Sequence, residues 1–220
     1  IYGVRYALRL PGYENFSQSL SVGFDYKDVK QSVVVAGSQE LPTPISYTPL
    51  VAAYNAYWMG NGSSTTLEVA ATHGLRGLLG NQDEEFAAKR SGASADFFSL
   101  RTGVQHRRTI ERWALSGKVE MQLASGTLVS NEQFAAGGAE SVRGYLEGER
   151  VGDGALRWAF ELRTPKITFF KSESSVALTG LAFYEGVRLR TLQPVYPQPS
   201  FQLLRGAGIG LRLAGSHGLS

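Results

Sequence analysis

The residue best suited to a specific interaction in this sequence is Arg143, near the centre of the long glycine-rich segment 126–153. The segment has Val142-Arg143-Gly144-Tyr145 near its centre and acidic residues scattered around it. A guanidinium is costly to bury unless a carboxylate pairs with its planar, two-pronged donor set. Arg143 therefore predicts either a buried ion pair that holds the segment in place or, more simply, a solvated loop residue.

Other residue types that do chemistry are absent or poorly spaced. The chain has no cysteine, which excludes a disulfide framework and a thiol nucleophile. The histidines lack the spacing of a metal site; they are His73, His106 and His217. The run Gly206-Ala207-Gly208-Ile209-Gly210 is similar to a nucleotide-binding turn, but no helix follows it and its glycines share one phase of a strand. Small residues on a crowded inner face explain this run better. We therefore expect no enzyme activity, no metal and no cofactor.

The elements that must position Arg143 are β-strands. Apolar and polar residues alternate with a period of two, so each strand has one apolar and one polar face; the clearest windows are 4–10, 20–26, 98–107, 113–123, 156–163 and 201–213. Weaker candidates lie at 31–36, 47–59, 65–73 and 176–189. No stretch combines convincing caps with a helical apolar stripe. The sequence predicts an all-β, antiparallel protein of about ten strands.

Strand length and connection length favour a transmembrane β-barrel over a soluble β-sandwich, the alternative that alternation alone leaves open. Many candidates reach the roughly 9–11 residues of membrane strands, longer than usual in soluble sheets. Aromatic residues near strand ends fit interfacial girdles: Tyr57, Trp58, Trp113 and Trp158. Of the apolar phase, Trp113, Trp158 and Leu162 are predicted to face lipid, whereas Glu161 falls in the polar phase and faces the lumen.

The connections also alternate in length, as membrane barrels require. Short connections are predicted at 28–30, 60–63 and 107–110, and long ones at 37–46, 75–92, 126–153 and 191–199. The first hairpin, 11–15, is short where this rhythm requires a long loop. Arg205 falls in the apolar phase of its strand and is predicted to lie near an interface.

The charge, the lengths of the apolar runs and the start of the chain limit the kinds of protein that the sequence could encode. The net charge is only +3 and the basic residues are dispersed, so we expect no nucleic-acid partner. No apolar run approaches the roughly 18 residues of a spanning helix. The chain begins inside a strand pattern, from which we expect residues 1–220 to be an excerpt of one barrel domain.

Three stretches resemble one protein family. GGAESVRGYLEGERVGDG followed by ALRWAFELRTP resembles the sixth extracellular loop of two-partner secretion transporters, the haemolysin and filamentous-haemagglutinin secretion proteins of the outer-membrane assembly superfamily. Their Phe-x-Asp-x-Gly pattern is similar to Phe183-Tyr184-Glu185-Gly186-Val187, with glutamate and valine substituted. The opening YGVRYALRLPGY is similar to their mid-barrel strands.

The resemblance implies a roughly sixteen-stranded barrel in the bacterial outer membrane, of which the POTRA domains, the plug helix, the first strands and the last strands are absent here. It implies that loop 126–153 folds into the lumen, with Arg143 pairing with Glu185 and with Glu161 as the second candidate. It also implies that Val142 and Phe183 belong to the same site. From the residue types we expect Gly144 to permit close backbone approach and Tyr145 to stack against the wall.

The function implied is export of a large unfolded exoprotein through a monomeric pore in contact with outer-membrane lipid, without a nucleotide. The alternatives left open are a barrel-assembly factor of the same superfamily and a passive porin, which gives no reason for the Arg143 motif.

Overall fold

The computed structural model describes residues 1–29, 32–33, 41–42, 44–78, 81–169 and 176–215. Its elements, in chain order, are β1 Tyr2–Tyr13, β2 Phe16–Val29, β3 Ser32–Val33, β4 Leu41–Pro42, β5 Ile45–Tyr47, β6 Pro49–Gly60, β7 Ser63–Gly74, α1 Asp83–Lys89, β8 Phe98–Ile110, β9 Trp113–Ala124, β10 Phe134–Ala136, β11 Arg150–Gly152, β12 Gly154–Arg163, β13 Ile167–Phe169, β14 Val176–Arg190 and β15 Phe201–Gly215.

Nine long strands form one antiparallel meander. The order is β1-β2-β6-β7-β8-β9-β12-β14-β15, and each strand pairs with the next along the chain apart from the short elements between them. The short strand β5 pairs with the end of β2, and β13 pairs with the start of β14. The antiparallel all-β prediction is confirmed, with nine long strands in the described residues where about ten were expected.

The two faces of the sheet separate apolar from polar side chains. The outer face carries exposed apolar residues, including Val104, Leu123, Leu156 and Phe160, at 44–51% exposure. The inner face carries polar residues such as Ser99 and Gln122, both buried. Trp113 and Leu162 are exposed on the outer face. Trp158 lies on the same face but is partly buried, because its ring packs over Gly186 and beside Tyr184.

The tight turns lie at one edge of the sheet. Residues 14–15, 61–62 and 111–112 make two-residue turns, and Gly62 and Glu111 adopt the positive φ that such turns require, at 69° and 55°. The longer loops at the opposite edge span 30–48, 75–97, 125–153 and 191–200. With these boundaries the short and long connections alternate, with one exception: residues 164–175, which join β12 to β14 on the side of the tight turns, make a longer connection that the sequence also indicates.

Two predicted connections are therefore wrong. No wall strand follows a short turn at 28–30, because β2 runs to Val29 and pairs directly with β6, from Phe16 opposite Trp58 to Phe24 opposite Leu50. The first hairpin then falls in the correct place in the rhythm. Residues 107–110 belong to β8, and the turn comes after them. Most of the candidate strand at 31–36 lies outside the described residues. Its described part, Ser32–Val33, is the short strand β3.

A short helix was not predicted. Helix α1 has seven residues and buries only Phe86, so it shows no recognisable helical stripe in the sequence. Glu84 and Glu85 are exposed on it, as expected of solvated residues. Asp83, in its first turn, accepts hydrogen bonds from the Ala95 N–H at 2.8 Å and the Ser94 hydroxyl at 3.0 Å. The backbone bond is the main cause that lowers the pKa of Asp83. Within the described part of the chain, no helix is long and apolar enough to cross a membrane.

The face assignment predicts which side chains meet lipid. We expect a nitroxide at position 104 to be accessible to oxygen and one at position 105 to a water-soluble nickel complex, because adjacent residues of a strand point to opposite faces. The test is power-saturation electron paramagnetic resonance on the full-length protein in bilayers, with single cysteines introduced into this cysteine-free region. Reversed accessibility at the two positions would show that the faces are misassigned.

Candidate functional site

The long loop 125–153 forms a hairpin whose tip contacts the inner face of the sheet. Its two arms pair as β10 and β11, from Phe134 opposite Gly152 to Ala136 opposite Arg150. This small hairpin projects residues 137–149, the loop tip, away from the loop ends of the strands. The side chain of Val142 is fully buried at the tip, in an apolar cluster with Ala136, Ala155, Val187, Leu189 and Leu204.

The wall half of that cluster explains an ambiguity in β14. Phe183, Val187 and Leu189 share the phase of Glu185, which makes the inner face of this strand look apolar from sequence alone. In the structure, Val187 and Leu189 pack under the loop tip and Glu185 lies beside them on the same face. The apolar inner residues are thus the seat of the loop.

Arg143 binds Glu185 through both its backbone and its side chain. The backbone N–H donates to Glu185 Oε1 at 2.5 Å, Nε donates to the same oxygen at 3.0 Å, and Nη2 donates to Oε2 at 2.9 Å. The Glu185 side chain is only 4% exposed, against 33% for Arg143. The side-chain hydrogen bond to Glu185 is the main cause that raises the pKa of Arg143. This is the bidentate geometry that arginine forms with a carboxylate and lysine does not.

Two further groups surround the same guanidinium. Arg143 Nη1 donates to Glu161 Oε2 at 3.2 Å, and the guanidinium carbon lies 3.4 Å from the centroid of the Phe183 ring. Glu161 also accepts from Arg163 Nε at 2.7 Å, so its charge is shared between two arginines. We call Arg143, Glu161, Phe183 and Glu185 the Arg143 cluster. Glu161 and Glu185 lie about 15–25 Å from the loop ends of β12 and β14, at a rise of about 3.3 Å per residue.

Gly144, the residue after Arg143, has a different role from the one expected of it. Gly144 has φ of 93°, and a Cβ on it would touch nothing within 4 Å. The expected close approach at Gly144 is therefore wrong, and glycine is needed there for its backbone conformation. Tyr145 packs against the apolar cluster around Val142, and its hydroxyl accepts the Arg205 N–H at 3.4 Å.

The close approach is on the wall instead. A Cβ at Gly206 of β15 would lie 2.8 Å from the carbonyl oxygen of Arg143. At Gly208 it would lie 2.7 Å from the Phe183 ring, and at Gly210 3.4 Å from Leu181. The glycine run is therefore the smooth inner surface against which the loop tip and Phe183 fit, in agreement with the inner-face interpretation. Arg205 is exposed on the outer face, the phase that the sequence indicated.

A second arginine, not singled out from the sequence, also holds the tip. Arg157 of β12 donates to the carbonyl oxygens of Glu140, at 2.5 Å, and Ser141, at 3.3 Å. The same guanidinium pairs with Glu120 of β9, which also binds Lys118. Arg157 lies four residues before Glu161, so its inner phase was visible in the sequence. Its partners on the loop are backbone carbonyls, which no residue type indicates.

The two histidines that the structure describes make separate hydrogen bonds. His73 bonds to the Phe97 carbonyl oxygen at 3.0 Å and His106 to the Thr65 hydroxyl at 2.8 Å, on separate strands. His217 lies outside the described residues. Among the residues that the structure describes, no group of three or more histidine, aspartate or glutamate side chains could hold a metal ion.

Comparison with known proteins places this arrangement in a family. The family model for the haemolysin secretion/activation protein ShlB/FhaC/HecB matches residues 14–213. No curated protein sequence matches the chain significantly.

Solved structures share the fold. CdiB from Escherichia coli superposes with a TM-score of 0.77 at 19% sequence identity, over 98% of this chain and 39% of that one. BamA from Haemophilus ducreyi, in a form lacking POTRA domains 1–3, superposes with a TM-score of 0.52 at 11% identity, over 96% of this chain and 54% of that one. At these identities the likeness shows the fold alone. The chain spans well under half the length of CdiB.

Proposed function

Because the chain belongs to the haemolysin secretion/activation protein ShlB/FhaC/HecB family, whose members are outer-membrane β-barrel proteins, we propose that the full-length protein exports a large unfolded exoprotein by two-partner secretion. The nine long strands form part of the barrel wall, and loop 126–153 is folded into the lumen. The pore is monomeric. It uses no nucleotide, since folding of the emerging exoprotein supplies the free energy for transport.

The observation that carries the proposal is the Arg143 cluster. A passive pore gains nothing from a loop whose tip is held about 15–25 Å along the strands of its own wall, at about 3.3 Å per residue. A polypeptide channel does, because a loop that is fixed against the wall leaves the rest of the lumen open to the moving chain. Glu185 is almost fully buried, so it stabilises the loop only while Arg143 is beside it.

The inner wall supports the same conclusion. Side chains such as Glu68, Gln105 and Lys118 alternate inward on β7, β8 and β9. A polar wall keeps water in the lumen, so the backbone of an extended polypeptide can form hydrogen bonds as it passes. An apolar wall would instead bind the apolar side chains of the polypeptide and slow its passage. In this proposal the exoprotein is recognised in the periplasm by POTRA domains and then threads past the loop.

The test is comparative mass spectrometry of the culture medium and of the outer membrane. In the native host, deletion of the full-length gene should remove one or a few large polypeptides from the medium, and complementation should restore them. The amounts of other outer-membrane barrels should not change. Loss of many unrelated barrels would instead identify an assembly factor, and no change in either fraction would reject export.

A further inference from the structure

A second buried ion pair lies at the base of the loop, well away from the Arg143 cluster. The Asp153 side chain is completely buried. Its oxygens accept hydrogen bonds from the Leu128 N–H at 2.9 Å, the Leu192 N–H at 2.7 Å and the Gln133 side-chain amide at 3.2 Å. Asp153 therefore joins loop 125–153 to loop 191–200.

Arg90 brings in a third loop. It follows helix α1 in loop 75–97, and its two terminal nitrogens donate to Asp153 Oδ1 at 2.6 Å and Oδ2 at 2.9 Å. The same guanidinium donates to the carbonyl oxygens of Leu128 at 2.6 Å and Leu192 at 3.3 Å. We call Arg90 and Asp153, with the Leu128 and Leu192 backbone groups that both of them bind, the Asp153 clasp.

Around the clasp the loops share an apolar core of their own. Tyr47, Phe86 and Phe97 pack together with ring centroids 5.3–6.2 Å apart. Leu128 and Val129 of the long loop complete the cluster. Loops with a shared core and a buried ion pair form one body that resists separation, and we call residues 44–48, 81–97, 125–136, 150–153 and 191–192 the loop cap.

The loop cap lies on the inner side of the wall. Lys27 on the inner face of β2 binds Glu132 at 2.5 Å, and the Tyr47 hydroxyl donates to the same carboxylate oxygen at 2.5 Å. On β9, Gln122 donates to the carbonyl oxygens of Glu132 at 3.2 Å and Asp153 at 2.9 Å. Inward-pointing residues of the two strands thus hold the cap over the lumen, at the edge where the long loops lie.

We propose that the loop cap closes the extracellular mouth of the pore, and that it opens at the Asp153 clasp to release the exported polypeptide. That the cargo is an exported polypeptide rests on the proposed function. Closure of the mouth by the loop cap is independent of it. The clasp suits a gate because the pair is strong only when complete: separating Arg90 from Asp153 leaves a buried carboxylate whose charge is no longer paired and which keeps only the hydrogen bonds from two backbone N–H groups and the Gln133 amide.

A reversible lock tests the opening. Ala93 and Thr127 form a bridge between two loops of the cap, and both are buried. Because residues 1–220 contain no cysteine, Ala93→Cys with Thr127→Cys in the full-length protein places the only pair of thiols of this region in facing positions. We expect oxidation to lower export of the native exoprotein about tenfold or more, and a reductant to restore it. The single-cysteine variants serve as controls. Unchanged export by the oxidised, fully cross-linked protein would overturn the proposal.

Conductance of potassium chloride in planar bilayers tests the cap without any exoprotein. The oxidised double variant should show fewer open events than the same protein after reduction. Arg90→Gln should show more open events than wild type, whereas Glu84→Gln, an exposed change on α1, should not. Equal open probability in the oxidised and reduced double variant, Arg90→Gln, Glu84→Gln and wild type would reject the clasp as a gate. Absence of export by the wild-type protein, with the conductance differences present, would reject the export function and keep the gate.

Discussion

Replacing Arg143 by alanine is expected to reduce export below about a tenth of the wild-type level while the barrel still assembles. Removing one partner of a buried pair costs about 3–5 kcal/mol, and one third of Arg143 is exposed, so we take the lower end, about 3 kcal/mol. At about 1.4 kcal/mol per tenfold, the ratio of seated to released loop falls about a hundredfold. The released glycine-rich segment then moves freely in the lumen and obstructs the path. The strands keep their backbone pairing, which does not involve Arg143.

The measurement is secreted exoprotein per inserted transporter, with insertion judged by heat-modifiable migration of the folded barrel. Arg150→Ala is the matched control, because Arg150 is an exposed arginine of the same loop. Arg143→Lys should recover only part of the export, since lysine cannot hold both oxygens of Glu185. Loss of the inserted barrel in Arg143→Ala would show that the residue serves assembly and not transport.

Adding one methyl group at Gly206 is also expected to lower export, through the fit of the loop tip against β15. Its Cβ would lie 2.8 Å from the Arg143 carbonyl oxygen, and this atom belongs to the backbone and cannot rotate away. Such overpacking costs about 1–3 kcal/mol, so Gly206→Ala should displace the loop tip and lower export severalfold. The charge of the Arg143 cluster is unchanged in this variant, which separates the fit of the loop from its electrostatics.

Gly210→Ala provides the comparison on the same strand and the same face. There the nearest atom to the new Cβ is the end of the Leu181 side chain at 3.4 Å, which can adjust. Export by Gly210→Ala should equal that of wild type. If the two alanine variants export equally, the loop tip does not rest against β15 in the working channel.

Much of the wall could be predicted from the sequence because membrane strands obey one simple rule. Val104 and Gln105 alternate with their neighbours, and that pattern alone assigns their faces. The short connection predicted at 28–30 is wrong because alternation does not tell which strands pair. It does not reveal that β2 pairs with β6 across a long connection. Helix α1 could not be predicted because seven residues with one buried side chain are too few to show a helical pattern of apolar residues.

The Arg143 cluster was predictable in part for the same reason. Phase placed Glu161 on the inner face, and the resemblance to a family motif pointed to Glu185. Arg157 and Asp153 bind backbone groups of the loop, and those groups are the same for every residue type. The role of Gly206 depended on a distance between two segments 63 positions apart in the sequence, which only the fold supplies.

The central claim is that Arg143 and Glu185 act as one unit that seats the loop in the lumen. A double-mutant cycle on secreted exoprotein per inserted transporter tests it most directly, with Arg143→Ala, Glu185→Ala and the double variant. The account predicts that both single variants export poorly and that the double variant is little worse than either, as expected for coupled residues. Wild-type export by Arg143→Ala, or defects that multiply in the double variant, would contradict it.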